Sequence, residues 1–391
     1  MTHEKLPLVA LLAFATAAFS AIITELLPAG VLLEMAKDLQ VPASSIGQLV
    51  SYYAIGTVLT AIPAAAITSS ISHKSLLLFV IAGFFISNVI TAFSQNYFLT
   101  VIVRVLAGGF GGILWPLIAG YASRLVSTKN TGKAIAIVMG GSTFALSIGL
   151  PVGAFLGRLI GWRFTFGALS CLSLILIGWV AWKIPNIKSG DKSKNTPISK
   201  VLAMPGVVVV LSTTFIASLA VYIAYTYLSP ILVAKGIKDS AGFALLLFGI
   251  GAVVGIFITG RFIDHYLRMT LLLSIILGAI SLFLIGVAGH IHTIFYASII
   301  LWGISFGGMP SLLQTAAINT AKGAPEVGSS MTVTVYNIGI FSGAFLGGLL
   351  LDFAGPDVLS WSSFILMNIV ILLIIIGRKF AFSKSSGATI T

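Results

Sequence analysis

Acidic residues are nearly missing from this chain: ten Asp and Glu stand against 22 Lys and Arg in 391 residues. Charged residues of both signs make up only 8%, while hydrophobic residues make up 58%. A water-soluble domain carries about 25% charge, so this chain lacks the means to cover a water-facing surface. Cysteine is equally scarce. Cys171 stands alone, which excludes a disulfide framework and a thiolate metal site. His3 lies in the tail, and His73, His265, His290 and His292 fall in expected loops without a metal partner at helical spacing. With no Walker loop and no Ser-His-acid set among the apolar stretches, a membrane-embedded enzyme is only a remote alternative, and the chain is read as not an enzyme.

What the chain does have is apolar sequence in stretches of about 20 residues, the length that crosses a bilayer. The first runs uncharged from Leu6 to Thr24 and stays apolar to Leu33, too long for the core of a cleaved signal peptide. Twelve helices are expected, near 7–33, 46–68, 76–93, 97–121, 133–157, 163–183, 206–233, 241–263, 270–289, 293–317, 328–351 and 357–377. Between the sixth and seventh lies KIPNIKSGDKSKNTPISK, 183–200, polar and broken by Pro185 and Pro197, hence a linker. The expected fold is an all-α polytopic membrane protein of two six-helix, pseudo-symmetric bundles, 1–183 and 206–391, joined by a cytoplasmic linker, 184–205.

Lys and Arg collect in cytoplasmic loops. With both termini inside, sixteen of them lie on the inner side and five (Lys37, Arg158, Arg163, Lys235 and Lys238) on the outer side. The formal net charge of +12 then faces anionic inner-leaflet lipid and implies no nucleic acid. The expected setting is a plasma or inner membrane.

The halves resemble one another. GAFLG occurs at 153–157 and again at 343–347, so that Gly149, Gly153 and Gly157 match Gly339, Gly343 and Gly347. FGGILWP (110–116) has its counterpart in FGGMP (306–310). Parallel repeats of this kind build transporters with a midplane site between the halves. Glycine at every fourth residue lines one helix face and lets a neighbour approach closely. The paired stripes are expected where the halves meet and rock; close packing alone is the plainer alternative.

Among ten acids, Glu25 alone sits deep in a span. An intramembrane carboxylate is costly and marks a functional site by default; a group that passes between dry and wet surroundings can take up and release a proton. It lies about 28 Å from the inner end of its helix by helical rise, so reaching out to the outer surface is the alternative. Arg104 is the one Arg or Lys well inside a span, about 10 Å below the outer surface. The two share a depth, where they pair or face one cavity; Arg104 bonding helix carbonyls is the structural alternative. Tyr52, Tyr53, Asn88, Trp115, Tyr222, Tyr225, Gln314 and Asn337 are candidates for a substrate cavity, because polar groups in apolar walls orient a ligand.

Four stretches carry a family resemblance: TELLPAGVL (24–32), RVLAGGFGG (104–112), GLPVG (149–153) and AYTYLSP (224–230). With these the chain resembles the major facilitator superfamily, in its twelve-helix drug:proton antiporter branch, and is most similar to bacterial sugar-efflux, purine-nucleoside and chloramphenicol exporters. The superfamily's cytoplasmic signature, G-x-x-x-D-R-x-G-R-K, reads AAITSSISHK at 65–74, with Ala65 for Gly and Ser69 for Asp. The second copy, GRFIDHYLR, keeps Gly260, Asp264 and Arg268, and the resemblance assigns these to conformational switching. The exporter signature of the fifth helix has Gly and Pro adjacent, whereas Leu150 here separates Gly149 from Pro151, as in the sugar-efflux branch.

The resemblance implies a role for Arg104, in the family's R-x-x-x-G pattern, in proton coupling. It implies export of a small organic solute such as a drug, sugar or nucleoside by proton antiport. A proton symporter or facilitator for uptake is the alternative. The proton gradient would be the energy source with no bound cofactor, and the partners would be substrate, protons and the bilayer, with the chain acting as a monomer.

Overall fold

The computed structural model describes residues 6–67, 71–127, 130–186, 197–237 and 241–382. The linker core 187–196, Lys238 and residues 68–70 of the first signature lie outside them. Among the described residues the structure is helical, without strands. Its long segments are α1 (Leu8–Gly30), α2 (Ala43–Ile67), α3 (His73–Phe93), α4 (Tyr97–Arg124), α5 (residues 131–161), α6 (Trp162–Lys183), α7 (Val207–Tyr225), α8 (residues 241–265), α9 (residues 267–288), α10 (His292–Thr320), α11 (Pro325–Ala354) and α12 (Asp357–Ile376). Nine described helices are long and apolar enough to cross a membrane. Two of these nine are continuous runs that each hold two expected spans, 131–183 and 241–288; dividing them and adding α2 gives twelve segments. The chain forms two compact units, residues 1–192 and 193–391.

Helix starts follow local chemistry. Ser72 caps α3 by accepting from the Ser75 amide at 3.2 Å, and Asn96 caps α4 by accepting from the Phe98 amide at 2.8 Å, each satisfying a donor that the helix leaves orphaned. Some expected loops are single residues instead. α5 joins α6 at Gly161, whose φ of +98° is open to glycine at little cost. α8 joins α9 at Tyr266, φ −130° and ψ 33°. The GRFIDHYLR copy, expected as a loop, is therefore helical on both sides of that break. α5 also widens into π turns at Ala145–Gly149 and Gly157–Gly161. The first lies just before Pro151, which has no N–H to close a bond to the preceding turn.

Glycine sets the packing of both units. A Cβ added to Gly56, Gly108 or Gly112 would meet the backbone carbonyls of Val105, Tyr53 and Thr57; one added to Gly251, Gly303 or Gly307 would meet those of Ile300, Phe248 and Ala252. Each member of the second set is the first shifted by 195 residues. Likewise Phe110 covers Gly83 while Ser305 covers Gly278. The letter match of FGG at 110 and 306 is thus one residue out of register, because the repeat is set by where backbones touch.

The paired stripes also differ from expectation. Gly149, Gly153 and Gly157 face Phe19, Ile23, Leu27 and Val31 of the first helix in their own unit; Gly339, Gly343 and Gly347 face Ser218, Leu219, Tyr222 and Tyr227 of the seventh. The groove that glycine opens is filled by the neighbouring helix of the same bundle. Among the α5 glycines it is Gly141 that meets α1 backbone, where an added Cβ would strike the Ala15 carbonyl, a glycine the stripe pattern overlooks. α1 and α7 break at matching points: Val31 (φ −119°, ψ 30°) and Tyr227 (φ −109°, ψ 29°), each followed by a short helix, Leu32–Leu39 or Leu228–Ala234. Here the shift is 196 residues.

Candidate functional site

The N-terminal unit holds a polar cluster inside its bundle. Pro28 lies within α1 and has no N–H, so the Thr24 carbonyl one turn earlier lacks its helical donor. Arg104 Nη1, from α4, donates to that carbonyl. Asn88 Nδ2, from α3, donates to the Thr24 hydroxyl at 3.0 Å. The Arg104 guanidinium sits over the Phe166 ring of α6, 4.7 Å from its centroid, which adds a cation–π contact. Arg104 is fully buried, and Nε and Nη2, the edge that forms a two-pronged donor, have no hydrogen-bond partner among the described residues.

Glu25 follows Thr24 in α1 and is 5% exposed. The described residues show no ion pair between it and Arg104. Of the readings that the sequence left open for Arg104, the structure displays the helix-carbonyl bond. Tyr53 of α2, expected as a cavity residue, is buried with its hydroxyl over Gly111 of α4, and among the described residues that hydroxyl has no hydrogen-bond partner. Asn88, expected likewise, joins the same cluster through Thr24.

The C-terminal unit has an aromatic cluster instead. The Tyr225 ring lies 5.0 Å from Phe248, 6.3 Å from Trp302, 6.5 Å from Phe306 in stacked orientation, and 6.1 Å from Tyr222. Tyr222 meets Tyr336 at 6.3 Å. Tyr225 and Trp302 are buried, and among the described residues the Tyr225 hydroxyl and Trp302 Nε1 have no hydrogen-bond partner.

The remaining candidates are dispersed. Tyr52 is half-buried, and Trp115 packs half-buried against the N-terminal core. Gln314 donates to Ser329 at 2.8 Å, and Asn337 donates to the Val333 carbonyl one turn back in its own helix at 2.9 Å. Gly260 and Asp264 are exposed near the α8–α9 break, with Arg268 half-buried beyond it. Sequence reasoning missed Thr24, Phe166, Phe248, Trp302 and Phe306. Thr24 had a signal: a proline four residues later announces an orphaned carbonyl.

Comparison with known proteins agrees with these observations. The family model of the Major Facilitator Superfamily matches residues 9–331 and 210–386. A protein of Helicobacter acinonychis named probable sugar efflux transporter is 25% identical over 90% of this chain and 91% of its own. Another of that name, from Mannheimia succiniciproducens, is 29% identical over 89% and 87%. An uncharacterized MFS-type transporter, YfhI of Bacillus subtilis, is 30% identical over 88% and 86%. With a family model spanning both units and relatives aligned along nearly the whole chain, this protein belongs to the major facilitator superfamily and is a multi-pass membrane transporter.

Proposed function

We propose that this transporter exports a sugar or a sugar-like solute in exchange for protons, by alternating access. The observation that carries the proton part is a buried carboxylate, Glu25, that has no ion-pair partner among the described residues although a buried arginine bonds the adjoining threonine. Such a group is expensive in a membrane and is kept for ion or proton movement. The arginine offers it a charge without locking it in a salt bridge, which leaves the carboxyl free to load and unload. The sugar part rests on the names of the Helicobacter and Mannheimia relatives.

In this reading the proton gradient is the energy source and no cofactor is bound. The chain works as a monomer in the plasma or inner membrane with both termini in the cytoplasm, and its partners are substrate, protons and lipid. The substrate meets aromatic faces and hydroxyl or indole donors of the kind found around Tyr225 and Trp302, a lining suited to a molecule with an apolar face and a polar rim.

Reconstituted vesicles with an imposed pH gradient and a panel of radiolabelled sugars test the proposal. Wild type is expected to accumulate at least one sugar against its gradient. Glu25→Gln keeps the shape but cannot ionise, and is expected to lose uphill accumulation by roughly tenfold or more while downhill exchange survives. Wild-type accumulation by Glu25→Gln would move the proton site elsewhere. A wild type that carries drugs or nucleosides and none of the sugars would overturn the substrate class.

A further inference from the structure

The aromatic cluster of the C-terminal unit has no copy in the N-terminal unit. The shift of 195 residues that matches the glycine contacts carries Trp302 to Ala107 and Phe306 to Gly111; the shift of 196 that matches the helix breaks carries Tyr225 to Ala29. One unit holds three aromatic rings where the other holds small residues, so the shared backbone plan does not require those rings. Two of them also bury polar atoms. Trp302 is fully buried and Tyr225 is 4% exposed, and among the described residues neither the indole N–H nor the phenol hydroxyl has a hydrogen-bond partner. A buried polar group left unmet is destabilising. The surrounding rings hold both in place: Phe248 lies 5.0 Å from Tyr225 and 5.3 Å from Trp302, and Phe306 stacks on Tyr225 at 6.5 Å. Trp302 stands edge to face with Tyr225 (76°) and Phe248 (83°), where a ring face offers an N–H only a weak acceptor. Phenylalanine at 225 would pack without the penalty, as Phe248 and Phe306 do, so packing does not account for the oxygen. From Tyr225 the cluster continues through Tyr222 at 6.1 Å to Tyr336, half-buried, at 6.3 Å from Tyr222.

We propose that the Tyr225 hydroxyl and the Trp302 Nε1–H are the selectivity pair of the transporter, each donating to a different ring hydroxyl of a neutral saccharide. An indole N–H only donates, and a phenol hydroxyl donates and accepts. A sugar hydroxyl brings lone pairs that satisfy both, whereas an apolar drug leaves both unmet. A site built to meet a substrate hydroxyl rejects the analogue that lacks it. This inference rests on the sugar reading and adds to it the atoms that choose. It assigns selectivity to the C-terminal unit, whereas the proton reading concerns Glu25 in the N-terminal one.

The test uses purified protein in lipid vesicles given radiolabelled D-glucose, D-galactose, L-arabinose and lactose, with the monodeoxy analogues of each carried sugar competing for exchange. In wild type, at least one analogue is expected to compete roughly tenfold more weakly than its parent, the scale of one hydrogen bond whose donor is left unmet. Tyr225→Phe, which deletes one oxygen, is expected to raise the KM of the parent roughly tenfold and to erase the discrimination at one ring position. Trp302→Phe is expected to do the same at a second position. The thermal midpoint of sugar-free Tyr225→Phe in detergent is expected to equal or exceed that of wild type, because a buried unmet group is gone. Wild-type KM and discrimination in both variants overturn the proposal. A KM raised equally for the parent and every analogue also overturns it, since that pattern marks a packing defect. Should Trp302→Phe fail to fold, replacement of Trp302 by benzothienylalanine keeps the bicyclic ring, removes the N–H and carries the same expectation. A wild type that carries no sugar overturns the sugar reading and this inference together; failure of the inference alone shows only in the variants.

Discussion

The two units share a backbone plan and differ in chemistry. The shift of 195 residues that relates their glycine contacts carries Tyr53 to Phe248 and Arg104 to Ile299; the shift of 196 that relates the breaks in α1 and α7 carries Glu25 to Val221. Every member of the charged cluster thus has an apolar counterpart. Close helix contact is demanding on geometry, since a Cβ at Gly108 or Gly303 strikes a carbonyl, so both copies retain it. A buried charge is costly wherever it sits, so one copy suffices. The segments that follow α1 and α7 show a second contrast. Asp38, beyond α1, pairs with Arg163 of α6, while Lys235, beyond α7, pairs with Asp357 of α12 at 2.8 Å. The cation also reaches a carbonyl near the end of the third helix of its unit, Ser94 at 3.0 Å or Gly286 at 3.2 Å. The clasp is repeated with its polarity reversed, because an ion pair closes the same gap in either sense.

The equivalence would break most visibly at the glycines. Gly108→Val and Gly303→Val are each expected to cost about 3 kcal/mol, the upper end for overpacking, and to remove the folded peak in size-exclusion chromatography of the solubilised protein. Tolerance in one unit alone would refute the shared register.

A sharper test separates the units by Pro28. Pro28→Ala restores the donor for the Thr24 carbonyl. Arg104→Leu is then expected to cost about 1 to 2 kcal/mol less stability than in the wild-type background, measured as a double-mutant cycle by thermal unfolding in detergent. Equal costs in both backgrounds would mean that the carbonyl is not what Arg104 serves.

The smallest effects belong to the clasps, whose acids, Asp38 and Asp357, are 45% and 65% exposed. Arg163→Met and Lys235→Met are each expected to cost about 0.5 to 1 kcal/mol, read as a fall in thermal midpoint that high salt reduces. Exchanging the charges of Lys235 and Asp357 is expected to recover most of the loss; no recovery would show that the carbonyl at Gly286 matters more than the pair.

Much of this was legible in the residues. The helices, the repeat and the isolation of Glu25 and Arg104 follow from apolar length and from the rarity of charge. The register of the repeat was misread by one residue, because identical letters need not mark the same contact. The glycine stripes were assigned to the wrong neighbour for a related reason: a groove of small residues announces that something packs there without naming it. Phe248, Trp302 and Phe306 were missed because aromatics at helical spacing look alike in a chain with 26 Phe.

By itself, the sequence determined that the chain is a helical membrane protein in two copies of one unit, since a bilayer demands long apolar helices and a near-absence of charge makes the few exceptions conspicuous. It also determined that Thr24 would lose its helical partner, since proline has no N–H in any fold. The tertiary structure alone decided which group met that carbonyl, and that Arg104 did so without pairing to Glu25 among the described residues. Those outcomes depend on how side chains from four helices approach within a few ångströms. That distance is set by the glycines on which the helices cross, and no single helix encodes it.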